Sequence, residues 1–94
     1  LKHLAGSDSL RYVYAEGTAI TSAGVRHLAG CYNLLELNLS ATQVDDTGLA
    51  HLHKCEKLHF LALNGTFVTD GGVRAFRTAV PGCAVETRGL KSKK

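Results

Sequence analysis

Histidine and cysteine have the widest chemical range of any side chains in this sequence, and their spacing is not random. His3, His27 and His51 recur at intervals of 24, and His51-Leu52-His53-Lys54-Cys55 is followed closely by His59. Imidazole and thiolate together suggest zinc, which holds such ligands at about 2.0–2.3 Å. His51 and Cys55 stand one helical turn apart and could supply two ligands, but the pattern offers no third. If the recurring histidines lie on successive helices, their axes pack about 8–10 Å apart, too far to share one ion. No metal is expected. The same separation keeps Cys31 from bridging to Cys55, since a disulfide needs Cα atoms within about 7 Å. Cys31, Cys55 and Cys83 form an odd set without a C-x-x-C pair, and packing at helix ends is their expected role. A secreted scaffold would pair its cysteines. The count therefore points to a reducing, intracellular setting, the cytoplasm first and mitochondria as the alternative.

Catalytic constellations are missing as well. Asp45 and Asp46 sit where a helix begins, and negative charge there suits capping and the helix dipole. No G-x-S-x-G elbow, phosphate loop or dinucleotide fingerprint occurs. The glycines recur at fixed spacing, as turns and close packing require, and do not cluster into a phosphate cradle. Neither an enzyme nor a cofactor is expected.

The elements that must position these residues follow from a repeat. Shifted by 24, the sequence aligns with itself without a gap: Leu10–Asn33, Leu34–Lys57 and the stretch from Leu58 are three copies, and residues 1–9 match the back half of a unit. Leu10, Leu34 and Leu58 form one column; Val13, Leu37 and Leu61 another; Ala15, Leu39 and Leu63 a third. Thr18, Thr42 and Thr66 are identical, as are Gly24, Gly48 and Gly72. Alternation within the unit predicts short half-buried strands at 12–14, 36–38 and 60–62. Ser22, Asp46 and Asp70 are expected as N-caps of helices over about 23–30, 47–54 and 71–79. Their inward positions are Val25 and Leu28, Leu49 and Leu52, Val73 and Phe76. Neither strand nor helix can bury its apolar side alone, and stacking the copies solves that problem. The threonines are expected to satisfy backbone groups where each strand bends away.

Ninety-four residues make one domain or a piece of one, and 45% hydrophobic residues with a single proline describe a folded chain. No run approaches the ~20 apolar residues of a membrane helix. The net charge of +3 is concentrated at the end, where Arg88, Lys91, Lys93 and Lys94 face only Glu86 within the last nine residues. Residues 88–94 are expected to be a basic, flexible tail. Nucleic acid is a remote alternative for such a segment.

The columns LxxLxLxxTxV followed by TDxGLxxL, at Leu34–Cys55 and Leu58–Ala79, resemble leucine-rich repeats, nearest the ribonuclease-inhibitor-like and cysteine-containing subtypes. The cysteine-containing subtype usually runs about 26 residues and carries cysteine or asparagine where this chain has Thr18, Thr42 and Thr66. No F-box, the partner domain of many such arrays, is present. The closing stretch Val73–Glu86 also resembles the end of small mitochondrial repeat proteins. The resemblance covers residues 1–85 and implies an α/β solenoid, parallel strands on the concave face and helices on the convex face. It further implies protein binding by the concave sheet without catalysis.

On that frame the expected domain is 1–87, about three and a half repeats with a C-terminal cap in which RTAVPGCAV overruns the period and Cys83–Val85 adds a last strand. Leu1 enters in mid-helix, so the edge near Tyr12 is expected to be covered by further repeats or another chain. Positions flanking each central leucine point to the concave face: Tyr12, Tyr14 and Glu16; Glu36, Asn38 and Ser40; Phe60, Ala62 and Asn64. Tyr12, Tyr14, Glu36, Asn38, Phe60 and Asn64 are the expected binding residues for a protein partner, the aromatics as anchors and the polar groups for selectivity. The alternative is a structural subunit or assembly factor in a large complex.

Overall fold

Branched and aromatic residues alternating with polar ones favour short strands, and the computed structural model places these at Tyr12–Tyr14 (β1), Glu36–Asn38 (β2) and Phe60–Ala62 (β3), with Ala84–Glu86 as a fourth (β4). It describes residues 11–28, 30 and 33–91. His3, Cys31, the segment 1–9 with its expected edge contact, and Lys93 and Lys94 lie outside the described residues. Helices Ser22–Leu28 (α1), Asp46–His51 (α2) and Asp70–Ala79 (α3) alternate with the strands, and a 3-10 turn, Leu52–Lys54, extends α2. The result is a mixed α/β architecture.

The sheet is wholly parallel in the order β1-β2-β3-β4. Its register steps by one repeat at every junction, aligning Tyr12 with Glu36, Phe60 and Ala84. One sheet face and the inward faces of the helices share a single core. Leu34, Leu37, Leu39, Leu58, Leu61 and Leu63 are fully or almost fully buried there, with Val25, Leu28, Leu49, Leu52, Val73 and Phe76 supplied by the helices. Consecutive helices pack on one another, α1 on α2 and α2 on α3.

Each copy closes its strand the same way. The hydroxyls of Thr18, Thr42 and Thr66 donate to the carbonyls of Ala15, Leu39 and Leu63 at 2.7, 2.6 and 2.7 Å. One residue earlier the backbone is left-handed, with φ of 73° at Gly17, 58° at Ala41, 70° at Gly65 and 60° at Gly89. Ala41 is the one side chain in that column, and an L-residue there costs about 1 kcal/mol.

Three expectations need correction. The N-caps are not Asp46 and Asp70. Asp45 accepts from the Thr47 amide and Thr69 from the Gly72 amide, so the caps fall one residue earlier. Ser22 and Asp46 instead open their helices and reach sideways to a neighbour's cap: the Ser22 hydroxyl donates to Asp45 Oδ1 at 2.6 Å, and Asp46 accepts both the amide and the hydroxyl of Thr69 at 2.8 and 2.6 Å. Second, the closing segment does not overrun the period. Phe60 pairs with Ala84, 24 residues on; the longer α3 fills the span that α2 and its 3-10 turn fill in the previous copy. Gly82 stands where Leu34 and Leu58 stand, and buried Val80 and Cys83 pack at that end of the core.

Third, residues 88–91 are not a free tail. The Arg88 amide donates to Asn64 Oδ1 at 2.7 Å, the Arg88 carbonyl accepts from Gly65, and the Lys91 amide donates to Thr66. Leu90 packs against the core. This stretch makes the same left-handed turn as the copies before it.

Two substitutions test this framework. A Cβ on Gly72 would overlap the Asp46 carboxylate, the group that holds Thr69. Gly72→Ala therefore lowers unfolding free energy by about 1–3 kcal/mol, the range for overpacking, despite alanine's better helix propensity. Ala41→Gly relieves the left-handed strain and raises stability by up to about 1 kcal/mol, less whatever the unfolded chain gains in entropy. Chemical denaturation of the two variants reads both signs.

Candidate functional site: the open face of the sheet

The helices cover one face of the sheet, and the side chains that alternate with the core leucines occupy the other. The parallel register lays them in rows across the strands. The first row is Tyr12, Glu36, Phe60 and Ala84; the second is Tyr14, Asn38, Ala62 and Glu86. Tyr12 and Tyr14 are 53% and 67% exposed, unusual for large side chains in a chain this well packed elsewhere. Phe60 is half-buried and Ala62, short between longer neighbours, is buried.

Polar groups on this face are bonded across copies. The Tyr14 hydroxyl donates to Glu36 Oε1 at 2.8 Å, and Glu36 Oε2 lies 3.6 Å from His59 Nε2. Asn38 donates from Nδ2 to Glu16 at 3.1 Å while its Oδ1 accepts from the Ser40 amide at 3.0 Å. Asn64, which stands in the column of Ser40, makes a related pair with the following copy: Nδ2 donates to Glu86 at 3.2 Å and Oδ1 accepts from the Arg88 amide. The Ser40 hydroxyl accepts from the Asn64 amide at 3.1 Å.

Of the expected binding residues, Tyr12, Tyr14, Glu36 and Phe60 come together as one patch. Asn38 and Asn64 lie on the same face, but their amides are occupied by backbone and glutamate. They position carboxylates and close strand ends, with Glu16 and Glu86 beside them. Glu86 and His59 were not among the expected site residues. Carrying the 24-residue step one copy further, from Ala62 to position 86, marks Glu86; the place of His59, just ahead of β3 and beside Glu36, marks the other.

The electrostatics favour donation by Tyr14. Its pKa is raised above the ordinary tyrosine value, first by the hydrogen bond to Glu36, then by partial desolvation and the nearby glutamate charge. A phenol held protonated donates hydrogen bonds and does not serve as a base. Cys83 is different: burial pushes its thiol up to about 11, so it stays a neutral packing group at neutral pH. Cys55 and Cys83 are buried and unbridged. His53 lies against Phe76 with ring centroids 5.9 Å apart, a packing contact at the helix layer. Among the described residues, no three His, Cys, Asp or Glu side chains converge on a metal-sized site, and no helix is long and apolar enough to cross a membrane.

Comparison with known proteins adds no assignment: no family matches the chain, and no curated protein resembles it significantly.

Replacing the glutamate partner tests the electrostatics. Glu36→Gln keeps a hydrogen-bond acceptor and removes the charge, so the Tyr14 pKa falls toward the value of a free tyrosine. Spectrophotometric titration in a Tyr12→Phe/Tyr32→Phe background follows the Tyr14 phenol alone. An unchanged titration curve would show that the bond to Glu36 does not form in solution.

Proposed function

We propose that this chain is a stretch of leucine-rich repeats stacked as a solenoid, and that it recognises a protein partner through the open, concave face of the sheet. It works by binding and not by catalysis. The reading is supported by one observation above others: two large aromatic side chains, Tyr12 and Tyr14, stand exposed on that face beside Phe60. Exposed aromatics of this kind contribute most of the energy at protein interfaces when they are covered. The uniform step between strands, the periodic buried leucines and the recurring threonine turn support the repeat assignment. Unbridged, buried Cys55 and Cys83 fit a reducing, intracellular compartment.

Site-specific photo-crosslinking tests this directly. A crosslinking amino acid at position 12, introduced in the native cell, gives a discrete protein adduct that Tyr14→Ala suppresses by about tenfold, the scale of a hot-spot truncation. The same probe at Arg74, exposed on α3, gives no such adduct. Equal adducts from both positions, or none from position 12, would remove the sheet face from consideration.

A further inference from the structure

We infer that the partner segment received by this face is cationic and extended, and that it presents arginine side chains to the tyrosines and glutamates. This rests on the recognition reading above and adds the chemistry of what is recognised. Three carboxylates lie on this face: Glu16 at the end of the first copy, Glu36 in the row of Tyr12 and Phe60, and Glu86 in the row of Tyr14 at the opposite edge of the sheet. The nearby arginines, Arg11 and Arg88, lie at the margins, one before β1 and one after β4. The outward strand positions themselves carry two carboxylates, three aromatic rings and no arginine or lysine, with His59 beside Glu36 just ahead of β3.

The carboxylates are also held in place. Glu16 and Glu86 are each bonded through Oε1 to an asparagine amide that is itself fixed by a backbone N–H. A partner can approach a negative group that already has its geometry. An acidic or apolar partner would have to desolvate these groups without compensation, which costs more than it returns. Guanidinium meets both demands of the patch. It forks onto carboxylates and stacks flat on tyrosine rings, whereas a lysine ammonium pairs with a carboxylate only as a point charge and has no plane to stack. Same-side residues of an extended segment recur about every 6.6 Å, the spacing that also separates the two rows of this sheet face. Successive arginines can thus reach successive rows.

The test uses the full chain and synthetic peptides. A peptide of alternating arginine and serine is titrated against it with backbone amide shifts as the readout, alongside the same peptide with glutamine or glutamate in place of arginine. The expected result is saturable binding of the arginine peptide, with shifts at Tyr12–Tyr14 and Glu36–Asn38. The combined change E16Q/E36Q/E86Q weakens it by about tenfold or more, as losing charge-assisted bonds requires, and flattens its salt dependence. Tyr14→Ala weakens it too. Equal binding of the glutamine peptide, or unchanged affinity in the triple variant, overturns the cationic assignment. Shifts confined to other surfaces overturn it as well. If no peptide binds while the position-12 crosslink still forms, the inference fails and the recognition reading stands.

Discussion

Lateral backbone pairing between copies is the interaction on which this molecule depends. The strands themselves are three residues long, at the short end of the usual range, yet the pairing does not stop at their ends. Amides of Ala15 and Gly17 donate to Asn38 and Ser40, those of Leu39 and Ala41 to Ala62 and Asn64, and those of Leu63 and Gly65 to Glu86 and Arg88. On the other side Leu35, His59 and Ala84 donate back to Arg11, Leu35 and His59. The ladder thus runs past each strand into the turn that follows, and every junction repeats it at one fixed step. An error of a single residue at any junction would turn the leucines outward. The identical turn, a left-handed residue followed by a threonine bonded to its own strand, prevents that slip.

A second set of contacts ties the helix starts together, and it explains a column that the strands do not. Ser22 meets Asp45, and Asp46 meets Thr69, so each helix begins against the side chain of the one before it. Gly48 and Gly72 lie where those side chains need room; a Cβ on Gly48 would come within 3.0 Å of the Ser22 backbone. The glycines are required by the neighbouring copy and not by their own backbone angles. Close approach therefore outweighs the roughly 1 kcal/mol that glycine costs inside a helix.

Much of this was legible in the residues, and the failures have identifiable causes. Alternating Leu37 and Leu39, or Leu61 and Leu63, located the strands because their period is fixed by one buried face. Asp45-Asp46 and Thr69-Asp70 did not reveal which of two adjacent cap-capable residues would cap, since the choice turns on a contact one repeat away. The end was misread for a similar reason. Pro81-Gly82 signals a break and Arg88–Lys91 signals solvent, but the exposed backbone edge of β3 and its turn offers partners that hold both stretches in register. The site divided along the same line. Tyr12, Tyr14, Glu36 and Phe60 could be placed by alternation alone, whereas the fixing of Asn38 depends on the Ser40 amide and the preceding copy's Glu16, and that of Asn64 on the following copy's backbone and Glu86.

The contrast between columns within this one chain carries the functional argument further. Positions facing the core hold leucine, valine, isoleucine or phenylalanine in nearly every case, with Ala15 the smallest, because the shared interior admits little else. Rows on the open face read Tyr, Glu, Phe, Ala and Tyr, Asn, Ala, Glu. Stacking makes no demand there, and a face under no other constraint would be expected to carry small or charged residues that stay solvated. Instead its aromatics stand exposed while its polar groups are cross-bonded between copies through Tyr14–Glu36, Asn38–Glu16 and Asn64–Glu86. Those bonds add little to a surface already held by its backbone, since exposed polar pairs contribute only fractions of a kcal/mol, ~0.2–1. What they do achieve is to fix the directions of three carboxylates across the face, from Glu16 beside the tyrosines to Glu86 on β4. A surface ordered in that way loses less freedom when it is covered, which is what the proposed recognition of a partner requires of it.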